Sequence, residues 1–484
     1  MGADGSTLDI IWTDTIAFQK LQRLAHGDID ENHYRDYVLS RIADRPHSLA
    51  IYSNDAECFD FRTGRFKTEE RLTGGEWERI ARVLRELKRD PRIRLGVPSI
   101  ALELHQGATP EVHLQSPENP ILVKKQRKYN VTRWAVTGRN DLEVNTLCWR
   151  IFADLDRRGV PLEAKDWRTL CDLWASDYRT HITPKRWAAY RERLAATVAR
   201  IDRVPAPRKT NGHKSARKTI LAPYERWIDV TTATLDVRLN CRRGLAIDRF
   251  AVLPDRTPLA GTILHGELDD IALAADWYTG NCVFEAPGQQ KITDLEWCEP
   301  VCEIDDKSGA AIISTRIETP RGPILKSLVV SAQEPRINVH VRFEWEAWGL
   351  GVLRLGHLTL KPGTFDEEKL VIRTHNGGRD VEEFPLKDRT IDHGHPVSFL
   401  VSASNALGMT EGWCEVTDGR RWMRVEVDKT TAALIGMLTH RKARNGTFCQ
   451  LMLSALEMDE TRKPGDDSGA AREFAYAIMG GVRL

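Results

Sequence analysis

The stretch AAIISTRIETPRGPILKSLVVSAQEPRINVHVRFEWEA, residues 310–347, decides the fold class. It contains three runs of alternating or β-branched apolar residues: AAIISTRIET, ILKSLVVSA and INVHVRFEWEA. Turn formers such as TPRGP separate them. No helical pattern intervenes, so successive strands must pair antiparallel; a parallel sheet would need helical crossovers. Working outward, the same character begins near residue 223 with TTATLDVRL. It continues through GVLRLGHLTL, KLVIRTHN, PVSFLVSAS, WCEVTD and RWMRVEVD, with DDKSG, KPG and NGG as punctuation. The expectation is an antiparallel β-sandwich over 223–484 with its own core.

Upstream, the period changes. Residues 14–26 (DTIAFQKLQRLAH) carry Ile16, Phe18, Leu21 and Leu24 at helical spacing, and 75–90 (GEWERIARVLRELKRD) carry Trp77, Ile80, Val83, Leu84 and Leu87. Residues 141–158 and 163–202 also read as helical, with Thr183-Pro184 as an N-cap followed by proline at the first helical position. Between the two halves lies VPAPRKTNGHKSARK, a basic, proline-containing stretch without periodicity. The expected division is therefore 1–203, a linker at 204–222, and 223–484.

Composition narrows the functional class. The chain has 484 residues, 41% hydrophobic and 29% charged, with net charge +1. That is a soluble globular composition, with no electrostatic reason to expect nucleic acid or an anionic membrane as partner. No apolar run approaches the roughly 20 residues that span a bilayer. Nine scattered cysteines suit a reducing compartment, so a cytoplasmic location is expected. No cofactor is called for. Cys298 and Cys302 form a CxxxC without a second pair, and the histidines of THNGG and IDHGHP match no standard zinc spacing. Fourteen tryptophans are numerous, and indoles serve both as core residues and as flat platforms for sugar rings.

LAIYSNDAECFDFRTGRF, residues 49–66, carries the chemistry. A short apolar run, expected to be a strand over 49–53, ends at Asn54, Asp55 and Glu57. At the mouth of a barrel, a carboxyl there is partly desolvated and suited to protonating a leaving oxygen. The same residues also suit a plain loop carboxylate that caps a helix or pairs with Arg62 or Arg65.

NDAECFDFRTGRF resembles the fourth signature region of glycoside hydrolase family 57, the amylases and 4-α-glucanotransferases acting on α-glucans. The resemblance implies a partial (β/α) barrel, with Asp55 as general acid/base of a retaining mechanism and Glu57 tuning it. IIWTDTIAFQ, with Asp14, is similar to a segment just upstream of that strand. KYNVTRWAVTGRNDLEVNTLCWR (128–150) resembles the fifth region; it implies Trp134 and Asn145 near the sugar, with Arg133, Arg139 and Asp141 as neighbours. DLWASDYRTHI, with His181, is a looser match. LNCRRGLAIDRF, TILHGELDD and ADWYTGN resemble strand–turn signatures of the family's galactose-mutarotase-like supersandwich. There His265, Trp277 and Tyr278 would line a groove or serve the core.

One element of the family is missing. A retaining enzyme needs a second carboxylate about 5 Å from the acid, and residues 1–48 contain no strand ending in a glutamate. The resemblance therefore implies a C-terminal portion (a half that assembles with an N-terminal partner chain supplying the nucleophile, a truncated gene product, or a domain that has lost catalysis), leaving a strand edge and an apolar patch exposed on the first 150 residues. Two alternatives remain. One is a non-catalytic glycan-binding protein; the other, a metal-dependent deacetylase, would need an absent His-x-x-x-His.

Overall fold

A computed structural model describes residues 9–43, 47–53, 59–62, 71–104, 115–120, 127–138, 140–179, 182–201, 219–377, 380–461 and 472–483. The chain forms two compact units, Met1–His113 with His181–Ala189, and Leu114–Thr180 with Tyr190–Leu484. Contacts thus group the residues at 141–179 with the strands, so this boundary does not coincide with the 204–222 segment. Of that segment, 204–218 lies outside the described residues, and 220–222 already belongs to the strand Ile220–Tyr224.

The first unit is built on α1 (Thr15–His26), α2 (Glu31–Ser40) and α3 (Glu76–Arg89), followed by α4 (Pro98–Leu104). Leu21 and Leu24 meet Tyr34, Val38, Val83 and Leu87 in one small core, and Ala25, Phe59 and Ile80 form another. Polar caps finish the helices. The backbone N–H of Glu76 donates to Asp60 Oδ1 at 2.7 Å, and that of Asp60 donates back to Glu76 Oε2 at 2.6 Å. The buried Glu76 carboxylate also receives Arg62, which holds it below the usual carboxylate range. The β structure described here is a two-residue antiparallel ribbon, Phe61–Arg62 against Arg71–Leu72.

Residues 47–53 form no strand, contrary to expectation. Tyr52 explains the apolar run instead: its ring packs 5.2 Å from Phe59 and 5.6 Å from Phe18, so local aromatic contact replaces strand pairing. Apolar surface does remain on this unit: Trp12 and Leu72 are 70% and 84% exposed, and Ile10 and Ile16 about half.

The second unit begins with α5 (Asp141–Arg157), α6 (Lys165–Leu173) and, after Thr183-Pro184, most of α7 (Pro184–Ile201). Between α6 and α7, within the span read as helical over 163–202, the described residues form a 3-10 turn at Ser176–Tyr178. Three antiparallel sheets follow. A five-stranded meander runs Ile220–Tyr224, Trp227–Thr231, Leu235–Asn240, Ala246–Val252, Thr257–Gly261. A nine-stranded sheet has the spatial order Val301–Ile304, Ala311–Ile317, Ile324–Val330, Arg336–Phe343, Glu473–Val482, Arg421–Val427, Trp413–Thr417, Val371–Thr374, Glu382–Pro385. A six-stranded sheet centres on Val352–Thr359, Gly446–Leu456 and Ile435–Ala443.

Burial follows from layering. Ala311–Ile317 and Ile324–Val330 bury alternate residues, as strands do when only one face is packed. Val352–Thr359 and most of Gly446–Leu456 are buried on both faces. Side chains of all three sheets join one continuous core, which includes Val237, Phe250, Ile313, Val339, Leu355, Leu453 and Ile478. Helix and loop residues Val136 and Leu142 enter the same cluster.

A buried ion pair ties the sheets together. Lys326 Nζ donates at 2.8 Å to Asp294 Oδ2 and at 2.8 Å to the carbonyl of Gly244, with both charged side chains fully buried. Asp294 also accepts from the Cys282 N–H. Gly244, at φ 55°, permits this approach, since a Cβ there would lie 1.7 Å from the Asp294 carbonyl oxygen.

PVSFLVSAS is not a strand. Ser398 and Val401 close a tight turn that leaves Phe399 80% exposed. His393 is structural: it is buried, with Nε2 2.9 Å from the Pro117 carbonyl and Nδ1 accepting from the Leu438 N–H. Among the described residues, no group of three or more His, Cys, Asp or Glu is placed to hold a metal ion. No described helix is long and apolar enough to cross a membrane.

Candidate functional site

Three residues singled out in the sequence, Arg133, Trp134 and Asn145, come together at the start of α5. The segment before them is pinned to the second unit by Asn130, whose Nδ2 donates to the Ala403 carbonyl at 2.8 Å. Its Oδ1 accepts from both the backbone and the hydroxyl of Thr132. The chain then turns sharply, and Trp134 takes φ 66°, a left-handed conformation that costs a bulky residue about 1–2 kcal/mol.

Asn145 and Arg179 hold that conformation. Asn145 Nδ2 donates to the carbonyls of Trp134 (2.9 Å) and Ala135 (3.0 Å). Its Oδ1 accepts from Trp174 Nε1 and Arg179 Nη2, each at 2.8 Å. The other Nη of Arg179 donates to the Trp134 carbonyl. A primary amide has two N–H donors and two acceptor lone pairs, so Asn145 is saturated within the protein. It therefore acts as a brace and has no hydrogen-bonding capacity left for a ligand.

What the brace presents is the indole of Trp134, 38% exposed. Beside it the Arg133 guanidinium lies 4.6 Å from the Tyr129 ring and 5.6 Å from the Trp134 ring, with Nη1 3.5 Å from Glu460. Arg133 Nε is buried and has no hydrogen-bond partner among the described residues. Lys128 also pairs with Glu460, at 2.9 Å, and lowers its pKa. Behind the brace, Trp174, Trp149, Phe152 and Trp167 form an edge-to-face aromatic row with centroids 5.1–5.7 Å apart. Lys429 Nζ sits 2.9 Å from the Trp149 ring centre, and burial pushes its pKa down to about 7.

The other sequence candidates fall elsewhere. Asp14, in the first unit, is the N-cap of α1: Oδ1 accepts from the N–H groups of Ile16 and Ala17 at 2.9 Å, and Oδ2 faces Arg41 at 3.2 Å. These donors, Ala17 foremost, lower its pKa. Asp55, Glu57, Arg139 and His181 lie outside the described residues. Asp141 is buried in the first turn of α5. Trp277 is partly buried and packs against a small apolar cluster, its ring tilted 4.6 Å from that of Phe448. Arg179, Trp174 and Lys429 were not singled out from sequence. The first two lie inside DLWASDYRTHI, where a buried arginine and a paired indole look like ordinary helix-surface residues until α5 is placed against them.

No protein-family model matches the chain, and no curated protein matches it. Among solved structures, a galactose mutarotase-like protein from Clostridium acetobutylicum aligns over 55% of this chain and 98% of its own, at 7% identity and TM-score 0.35. The 4-alpha-glucanotransferase of Thermococcus litoralis aligns over 94% of this chain and 70% of its own, at 10% identity and TM-score 0.29. A putative aldose 1-epimerase from Escherichia coli aligns over 55% and 100%, at 11% identity and TM-score 0.30.

Proposed function

We propose that this chain belongs to an α-glucan-active protein of the family 57 type, a retaining glycoside hydrolase or 4-α-glucanotransferase. In this reading Asp55 is the general acid/base, Glu57 its neighbour, and an N-terminal partner segment supplies the nucleophile. The observation that carries it is the Trp134 platform. A strained, half-exposed indole held by a saturated asparagine and a buried arginine is costly to build, and flat apolar rings suit the faces of pyranose sugars. The Arg133 guanidinium backs that platform, packed beside the Tyr129 and Trp134 rings.

Chemically, Asp55 would protonate the departing glycosidic oxygen while the partner's carboxylate forms the glycosyl-enzyme bond. Asp55, now ionised, would take a proton from the incoming water or sugar hydroxyl. The test is turnover of maltooligosaccharides by the chain with and without its upstream-encoded neighbour. The isolated chain should be nearly inactive. In the assembly, Asp55→Asn should cut the rate about 10²–10⁴-fold with folding intact. An unchanged rate would remove Asp55 from the mechanism.

The second reading is a non-catalytic glycan-binding protein. The irregular backbone at 47–53 favours it, because the strand expected over 49–53 is not formed. It predicts maltooligosaccharide binding sensitive to Trp134→Ala and no turnover in any assembly.

A further inference from the structure

On the second unit, away from Trp134 in sequence, an open cleft of about 500 Å³ has among its lining the polar side chains of Arg243, His265, Asp276, Tyr278, Thr293 and Glu296. The volume falls within the roughly 300–1,000 Å³ of small-molecule sites. The walls are held by backbone pairing. Ile263 and Trp277 exchange N–H···O bonds of 2.9 and 2.8 Å, and the Gly244 N–H donates to the Glu296 carbonyl at 2.8 Å. Trp277 packs against the Phe448 cluster, while its neighbours Asp276 and Tyr278 line the cleft.

Asp276 organises the cleft. Its Oδ1 accepts from the His265 N–H at 2.9 Å and lies 2.8 Å from His265 Nδ1, while its Oδ2 accepts from the Tyr278 hydroxyl at 3.0 Å. With Nδ1 engaged, His265 offers Nε2 to solvent, and its side chain is 78% exposed. The Arg243 guanidinium lies 5.9 Å from the Tyr278 ring centre. The cleft therefore offers donors and acceptors in alternation around one aromatic ring.

We infer that this cleft is a second binding site, for an internal segment of a neutral, hydroxyl-rich chain. Two carboxylates oppose an anionic ligand and Arg243 opposes a cationic one. Vicinal hydroxyls satisfy both kinds of group, since each donates to a carboxylate and accepts from a guanidinium or imidazole. An open cleft admits a chain passing through. The identification of that chain as α-glucan rests on the function proposed above; the site itself does not.

The test is calorimetric titration of the full chain with maltoheptaose. Two sites are expected. Arg243→Ala and, independently, the isosteric Glu296→Gln should each weaken one of them at least tenfold; both side chains are exposed, and an unchanged thermal transition would confirm folding. Trp134→Ala should weaken the other. A single site lost in Trp134→Ala and untouched by the cleft variants overturns this inference alone. A single site lost in the cleft variants and untouched by Trp134→Ala leaves the cleft standing and counts against the function above. No binding at all overturns both.

Discussion

The two units solve the burial problem differently. The first has two small apolar clusters and relies on helix caps such as Asp14, Asp30 and the Asp60–Glu76 exchange. The second has a large continuous core spanning three sheets, with a smaller cluster around Phe448 beside it, and encloses full charges. Groups such as the Asp30 cap and the Arg82–Glu31 pair in the first unit stay near water, where each contributes little, whereas its Glu76 carboxylate is buried. In the second, the Lys326–Asp294 pair is desolvated, so breaking one interaction exposes the whole penalty for its partner.

The largest expected effect follows from that contrast. Lys326→Met leaves Asp294 buried without its cation and should destabilise the second unit by about 3–5 kcal/mol. In chemical denaturation, the transition reported by its buried tryptophans Trp345 and Trp348 should move, and that of the first unit should not. A joint shift of both would mean that the units do not unfold separately. Pairing Lys326→Met with Asp294→Leu should recover most of the loss, because the pair is then replaced by apolar volume.

Acid should separate the units next. Burial lowers the pKa of His393 from 6.5 to about 4. The unfolded chain therefore binds more protons than the folded one between these values, and stability of the second unit should fall as pH drops from about 6.5 to 4. His393→Gln should flatten that slope. In the first unit, Asp14 and Glu76 have lowered carboxylate pKa values. Their contribution is present above the ordinary carboxylate range and is lost as pH falls below about 4.5. Thermal scans from pH 7 to 3 should show the second unit weakening first.

The smallest effect is expected at the surface of the first unit. Arg82 pairs with Glu31 across two helices, but its side chain is 56% exposed. Arg82→Ala should cost less than about 1 kcal/mol, and added salt should erase the difference. A larger loss would show that even the caps and pairs of this unit act as a buried network.

Much of the fold was legible because it rests on period. The helical spacing in 75–90 placed Ile80, Val83 and Leu87 on the buried face of α3, and Thr183-Pro184 marked the start of α7. The alternation through 310–347 foretold three antiparallel strands in succession. Period failed where an apolar run had a local reason of its own. Tyr52 packs on neighbouring rings without pairing as a strand, and PVSFLVSAS bends back on itself at an exposed turn. Trp134 and Asn145 were found together, but their division of labour was not. That Asn145 braces while Trp134 presents its ring depends on Trp174 and Arg179, which lie far along the chain.

By itself, then, the sequence determined that 14–26, 75–90 and 141–158 carry helices, that a helix starts at Pro184, and that the second half is built of strands pairing antiparallel. Each of these follows from local conformational preference or from spacing along a single element. Only the tertiary structure decided that Val352–Thr359 is buried on both faces, that Lys326 finds Asp294, and that Asp276 holds His265 and Tyr278 at one cleft. Those outcomes depend on desolvation and on which distant groups share a cavity, and neither is encoded in the pattern of any one segment.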